Sequence, residues 1–493
     1  MRIAIIGFLI ALLLVFSASS YERYTSGLVS QAPSANTPIQ HIVIIMQENH
    51  AFDNMFGTFP NLPSGYAENL NTCMPMNPPA AKPCIYPWNA DSKQSTIQGQ
   101  DIPHTRGAAL KAYNNRLMNG FVKIMPTGAK NFPMAYYDGK ILPYYWDYAS
   151  YYTLNYNFYS SAMSYSLTNH LFAVAGQAGT YASTCLIVCD TTYNLTFPQI
   201  GLSLSNAGIP WGYYQYNWND ALNCPLTLGS LGYIGTYYTR NYINAHNHGG
   251  FDGLWSGLTD FKQIQANQPE CNSLGNLKDL QNVIKNNTLP SVSWVEPEPQ
   301  VSDHPGQGTW AAGQQYVSSL INLIEKSPEW SSTVIFLTWD DWGGYYDGVI
   351  PTQLDQAGDG FRVPLIAISP YSRSGVMVGG PSQEDFSAFL STIEYNWGLS
   401  SLTARDAGQI GPTGCATTMS CGLFYMLNFA QTIHPLVLAS TGVTYPLNSC
   451  NPPACTFSAV NIPQNLTVYD PNAGINESQT QALSYSGNGD PAD

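Results

Sequence analysis

Two short stretches of the chain could bring enough oxygen donors together to hold a cation. The first follows an apolar run, His41-Ile42-Val43-Ile44-Ile45-Met46, after which come Gln47, Glu48, Asn49 and His50, then Phe52-Asp53-Asn54. The second follows Thr333–Leu337, where Thr338, Trp339, Asp340 and Asp341 lead into Gly343-Gly344. Both runs are short, continuous and rich in β-branched residues, the mark of strands buried on both faces. Ligands of an open parallel sheet bind beyond the carboxyl ends of its strands. If these two strands run parallel, Glu48, Asn49, Asp340 and Asp341 arrive at one edge. Three carboxylates there repel one another unless a cation joins them. Such donors suit Mg²⁺, Ca²⁺ or Mn²⁺, with Zn²⁺ admissible if histidine takes part. Singly, Glu48 reads as a helix cap and Asp340-Asp341 as the start of a turn; their shared position at strand ends favours the metal.

Histidine is scarce, with eight copies, and five of these sit in polar, Pro- or Gly-flanked contexts. They are His104 (DIPHT), His170 (TNH), His246 and His248 (AHNHGG), and His304, which follows Asp303 in DHPG. His41 and His434 read as structural. Phosphoryl transfer needs donors for non-bridging oxygens and a proton for the leaving group, and histidine supplies both in mild acid. A nucleophile is available in Ser164-Tyr165-Ser166-Leu167-Thr168-Asn169-His170, ahead of the apolar Leu171–Gly176. A hydroxyl at a helix start meets backbone N–H groups suited to phosphate, and a metal can activate it. Ser164, Ser166 and Thr168 are all admissible, and each reads equally as a plain N-cap. There is no G-x-S-x-G elbow, no G-x-x-x-x-G-K-[ST] loop and no G-x-G-x-x-G turn after a strand, so serine-esterase and nucleotide-binding readings fall away.

The elements that must position these residues alternate. Strand-like runs recur at Ser291–Val295 and Pro364–Ile368, and Ala312–Ser327 has helical spacing closed by Pro328. Buried strands alternating with helices predict an α/β fold with a largely parallel central sheet and helices on both faces. Residues 60–100 and 200–275, rich in Pro, Gly, Asn and Cys, read as insertions. From about 401 the rhythm stops, and a polar tail follows Asn472. The expected organisation is a signal segment at 1–20, a spacer at 21–37, a catalytic domain at 38–400 and a C-terminal extension at 401–493.

Arg2, the apolar run Ile3–Phe16 and Ser17-Ala18-Ser19-Ser20 have the form of a secretory signal. That run is too short for a spanning helix, which needs about twenty residues. The ten cysteines fall as local neighbours, Cys73/Cys84, Cys185/Cys189, Cys224/Cys271, Cys415/Cys421 and Cys450/Cys455, consistent with disulfides in an exported chain. Asn-x-Ser/Thr acceptors stand at Asn194, Asn286, Asn465 and Asn476. Charged residues are only 10% of the chain and the net charge is −14. With no basic block, nucleic acid is excluded as a partner. An uncharged, Tyr-rich exterior suits an acid environment or cover by glycans.

The motifs together resemble a known family. HIVIIMQENHAFDNMFGTFP looks like the opening signature of bacterial and archaeal phosphoesterases that include phosphatidylcholine-type phospholipase C and secreted acid phosphatases, within the alkaline-phosphatase-like superfamily. The likeness continues through DIPHTRGAALKAYNNRLMNGFV, SLTNHLFAVAGQ, AHN, VSDHPGQGTWAAGQQYV, TWDDWGGYYDGV and GFRVPLIAISPYSRSGVM, over roughly 38–400. It implies Glu48, Asn49, Asp340 and Asp341 as metal ligands and Ser166 as nucleophile. It places His104, His246 and His304 around the phosphate, with Asn169, His170 and Asp303 expected at the substrate. Two positions depart from the family pattern. Tyr346-Asp347-Gly348 stands where Tyr-Asp-His is usual, and Asp385-Phe386-Ser387 stands where many members carry Asp-His-Thr-Ser.

The expected function is a secreted, divalent-metal-dependent hydrolase of phosphate monoesters, like an acid phosphatase, working through a phosphoserine. Phospholipase C action on phospholipid diesters is the alternative, and only that reading calls for membrane contact. The aromatics of 133–159 are then either a membrane rim or surface tyrosines standing in for charges. A non-catalytic secreted binding protein on the same scaffold is a third reading. The partner in the first two is a phosphate ester.

Overall fold

The computed structural model of the protein describes residues 33–91, 100–126, 128–179, 195–215, 255, 257–265, 267–381, 383–408 and 422–438. The expected signal at 1–20, most of the spacer, His246 and the polar tail lie outside them, as do four of the five expected cysteine pairs in whole or in part.

Among the described residues, eight strands form one sheet. In chain order they are β1 (His41–Gln47), β2 (Thr153–Asn155), β3 (Trp211–Gln215), β4 (Leu274–Gly275), β5 (Val292–Glu296), β6 (Thr333–Trp339), β7 (Leu365–Ile368) and β8 (Val376–Val378). Side by side they run β8-β2-β7-β6-β1-β5-β3-β4. β1 is parallel to both β6 and β5, β3 is parallel to β5 and β4, and β7 runs against both its neighbours. The largely parallel sheet is therefore as expected. The stretch 200–275 differs, because its two ends supply β3 and β4 to the sheet rather than forming only an insertion.

Side chains alternate across a strand, and here both faces are covered. Val43 and Ile45 of β1, with Ile335 and Leu337 of β6, pack in one layer. That layer holds helices α3 (Pro143–Tyr151), α5 (Leu277–Lys285) and α6 (Trp310–Glu325). Ile42, Ile44 and Met46, with Val334 and Phe336, pack in the other against α4 (Ser166–Ala175) and α7 (Ser387–Trp397). The shorter helices α1 (Phe52–Phe56) and α2 (Arg106–Tyr113) lie on the first side. α6 starts two residues before the expected helix because Thr309 accepts a hydrogen bond from Ala312 N and caps it there. Pro328 opens a 3₁₀ turn after it.

Two expectations change in the packed chain and a third holds. Tyr144, Tyr145, Trp146, Tyr148 and Tyr152 are core residues, each at most 3% exposed. They are neither a membrane rim nor a substitute for surface charge. Second, Leu423, Phe424, Met426 and Leu427 are fully buried in the layer of α4 and α7, so the packed domain extends past residue 400. Third, the 60–100 insertion is pinned as expected, by the Cys73–Cys84 disulfide beside the hairpin Met74–Asn77/Ala80–Ile85. Asn286, at the C-cap of α5, is exposed. No helix among the described residues is long and apolar enough to cross a membrane.

Candidate active site

The β1/β6 register sets the first half of the site. Gln47 pairs with Trp339 and Asp340 N donates to Gln47 O at 2.9 Å, so Glu48 and Asp340 leave the sheet side by side. Asp340 Oδ1 then accepts from Asn49 N at 2.8 Å. Asn49 is left-handed, with φ 58°, a conformation asparagine tolerates better than most residues. Gly343, with φ 57°, lies against it, and a Cβ there would fall 2.0 Å from Asn49 O. Its N–H donates to Asp341 Oδ1 at 2.7 Å. The paired glycines thus let the two ligand-bearing loops touch.

The second half is the start of α4. Ser166 is its first residue, and all ten residues of the helix are buried. Asn169, expected at the substrate, has its side chain engaged by backbone groups. Its Oδ1 accepts from Ala162 N at 2.9 Å and its Nδ2 donates to Ser164 O and Tyr165 O, fastening the loop that delivers Ser166. From there Ser166 Oγ lies 3.1 Å from Glu48 Oε2, 3.3 Å from Asn49 Oδ1 and 3.5 Å from Asp341 Oδ2. Of the three hydroxyls admissible from sequence, Ser166 is the one that meets the acidic cluster. Ser164 and Thr168 bond one another at 3.2 Å.

Ser166 and His170 share a helix face at i and i+4. His170, expected at the substrate, is a member of the acidic cluster. Its Nε2 is 3.0 Å from Glu48 Oε1 and 3.8 Å from Asp340 Oδ2, and its Nδ1 is 3.3 Å from Glu296 Oε1. Burial disfavours its charge, but Glu296 and Glu48 hold its pKa well above the usual histidine value. Glu48 is pushed well above the carboxylate range by burial and then by Asp340, and Asp341 by the same two causes. One serine proton cannot serve three converging acceptors, and buried like charges at this spacing destabilise one another. The donor set therefore fits a hard divalent cation held by Glu48, Asn49, Asp340 and Asp341.

Two histidines border this cluster in opposite states. His104 Nε2 is 3.4 Å from Asn49 Nδ2, and its Nδ1 faces Ile102 O at 2.6 Å and Asp101 at 3.4 Å. Burial opposes its charge, yet Asp341 and Asp101 raise its pKa to about 9. His304, its ring centroid 6.3 Å from that of His104, is lowered to about 3 by burial and by His104. Its Nδ1 lies 2.7 Å from Pro305 O. Asp303, expected at the substrate, instead has its Oδ2 bonded by Tyr145, Gln47 and Trp339 at 2.6, 3.1 and 3.2 Å. It orients the His304 turn from behind.

Glu296 is not among the residues expected from sequence, although it ends the SVSWV strand at the same carboxyl edge as Glu48 and Asp340. Two buried arginines are likewise not among them. Arg362 joins Asp53 to Asp347, and Arg405 joins Asp359 to Asp385 while donating to Ser161 O at 2.9 Å. Both departures from the family pattern fall beside these arginines. Gly348 N donates to Asp53, and Phe386 packs against Phe158 and Phe389.

Residues 39–400 match the protein-family model described as "Phosphoesterase family". The chain is 26% identical to hemolytic phospholipase C of Pseudomonas aeruginosa over 410 residues, covering 68% of this chain and 50% of that protein. It is 25% identical to phospholipase C B of Mycobacterium tuberculosis over 437 residues, 76% and 77% of the two chains. Non-specific phospholipase C6 of Arabidopsis thaliana is 30% identical over 201 residues, 32% of this chain and 38% of that one. The chain thus spans about half the length of some curated relatives it matches. A solved structure of an alkaline phosphatase superfamily protein from Vibrio parahaemolyticus aligns with 76% of this chain and 70% of its own at 10% identity and a TM-score of 0.32.

Proposed function

This chain belongs to the Phosphoesterase family, and on that premise we propose that it is a secreted, divalent-metal-dependent phosphoric ester hydrolase with Ser166 as nucleophile. The observation that carries the proposal is the Ser166 hydroxyl, at the N-terminus of a buried helix and within 3.5 Å of Glu48, Asn49 and Asp341. A cation held by Glu48, Asn49, Asp340 and Asp341, whether Mg²⁺, Ca²⁺, Mn²⁺ or Zn²⁺, would supply Lewis-acid charge that favours the serine alkoxide and the phosphate oxygens.

The chain's own residues do the rest. Ser166 gives up its proton to solvent, its Oγ forms a bond to phosphorus as the bond from phosphorus to the alcohol oxygen breaks, and it takes a proton back when water displaces it. The first-turn N–H groups of α4 receive phosphate oxygens. His104, held protonated, gives the departing alcohol its proton. His304, held neutral, takes a proton from the water that next attacks phosphorus and frees Ser166. His246 would join the phosphate pocket on the strength of the family likeness alone.

The relatives, phospholipases C by name, favour a phospholipid diester as substrate. The monoester reading keeps one specific support, His104 Nε2 placed 3.4 Å from Asn49 Nδ2 at the cluster, where its N–H can meet a phosphate with two anionic oxygens. Turnover of a soluble phosphomonoester beside phosphatidylcholine, across pH, separates the two. Ser166→Ala is expected to abolish both activities while leaving metal content and unfolding unchanged. Wild-type rates in that variant would end the assignment, and absence of both activities in the wild type would favour a binding protein on this scaffold.

A further inference from the structure

Between residues 106 and 130 lie five of the chain's eighteen basic residues and no acidic one, in a protein of net charge −14. They are dispersed, so no basic run is visible, but the fold gathers three of them. Lys111 lies in the last turn of α2; Gly120 N returns to Ala112 O at 3.0 Å, and Lys123 N to Gly120 O at 2.9 Å. A Cβ on Gly120 would fall 1.8 Å from Lys111 O, so the two arms of this hairpin are in backbone contact. Lys111, Arg116 and Lys123 are all exposed, and none forms an ion pair among the described residues. The strand Met74–Asn77, which packs on Phe121–Ile124, carries no charge.

The same hairpin displays leucine. Leu117 is 65% exposed and Leu110 47%. The turn that presents Leu117 has left-handed φ values at Asn114, Asn115, Arg116 and Met118. Such values are unfavourable for arginine and methionine, and a strained turn with its apolar residue outward is a feature to explain by function rather than packing. Exposed leucines between unpaired cations, on a chain otherwise acidic, match the chemistry of an anionic lipid surface. His104 stands just before α2, and eight residues of helix span about 12 Å, so a surface-bound hairpin sits one short helix from the serine pocket.

We propose that the α2 hairpin docks the protein onto anionic phospholipid membrane through Lys111, Arg116 and Lys123 with Leu110 and Leu117. The surface goes with the phospholipid reading above but is tested apart from it. Full-length protein is sedimented with vesicles of phosphatidylcholine containing one part in three phosphatidylglycerol, and with pure phosphatidylcholine. Binding is expected to the anionic vesicles and to weaken with salt. Each neutralised charge is expected to weaken it about fivefold, so Lys111→Gln with Arg116→Gln by about 25-fold. Leu117→Ser is expected to weaken it as well, with turnover of a soluble ester unchanged in every variant. Variants that bind like wild type, or no binding by the wild type, overturn the proposal. Loss in the charge variants with none in Leu117→Ser also overturns it, in favour of a plain polyanion surface. Loss of soluble turnover in the wild type would instead count against the enzymatic reading.

Discussion

Arg362 ties together the two loops that carry the proposed metal ligands, and replacing it tests whether that tie is what holds them. The guanidinium is fully buried. Nε reaches Asp347 Oδ1 and Oδ2 at 2.9 and 3.1 Å, Nη2 reaches Asp53 Oδ1 at 2.7 Å, and Nη1 reaches Tyr156 O and Tyr66 O at 2.9 and 3.2 Å. The group also lies 4.5 Å from the centroid of the Phe52 ring. Arg362→Met keeps much of the volume and removes every one of these bonds. Breaking a buried pair from one side costs about 3–5 kcal/mol, because a charge is left without compensation. Here two carboxylates are left. Asp53 is already raised to about 7, by burial first and by Asp347 second, so in acid it carries a proton and one charge fewer is stranded. The loss of stability should therefore be about 5 kcal/mol at pH 8 and about 3 at pH 5. Urea unfolding at both pH values, with the slope unchanged, measures it. Arg362→Lys should fall between, since lysine restores the charge but not the fork. A Met variant within about 1 kcal/mol of wild type at pH 8, or one hurt more in acid than in base, would refute the reasoning.

Further outcomes follow from the same geometry. Asp340→Asn should lower both bound metal and turnover, and an unchanged metal analysis would remove Asp340 from the ligand set. Gly343→Ala introduces a Cβ 2.0 Å from Asn49 O at a φ of 57°; it should cut kcat/KM by roughly tenfold or more, a barrier change of about 1.4 kcal/mol, while a wild-type value would show that the loops can separate freely. Stability should be greatest in acid. Burial raises Asp147, Glu325 and Glu384 each to about 8 and Glu394 to about 9, all above their unfolded values, so their contribution is complete below about pH 4 and is lost as pH rises through 8 to 9. A denaturation midpoint that climbs from pH 5 to pH 9 would contradict this.

Much of the site was legible before any folding was considered, for identifiable reasons. A β-branched run of strand length has one stable place, inside a parallel sheet, and chemistry in such sheets gathers at the carboxyl edge. Glu48, Asn49, Asp340 and Asp341 could be read from that rule alone, and the register of β1 on β6 places them together. Ser166 could not be chosen from its neighbours by local pattern, because three hydroxyls near one helix start offer the same capping chemistry. The likeness to a family singled it out, and the Asn169 staple shows how the chain presents it.

Other roles depend on contacts across hundreds of residues, which no local pattern encodes. Asp303 and His170 look alike from sequence, each a polar group next to a residue expected in the chemistry. One turns its carboxylate inward to Tyr145, Gln47 and Trp339, and the other bridges Glu48 and Glu296. The tyrosines of 133–159 follow the same logic. A tyrosine is amphipathic, so composition alone leaves it at the surface or in the core, and only the packing of α3 under the sheet sends these inward. Residue types and their order along the chain determined the sheet, the acidic edge and the kind of chemistry. Direction of burial, pairing of distant charges and which hydroxyl meets the acidic cluster were decided by tertiary structure, because each is a difference between competing contacts that exist only once the layers close.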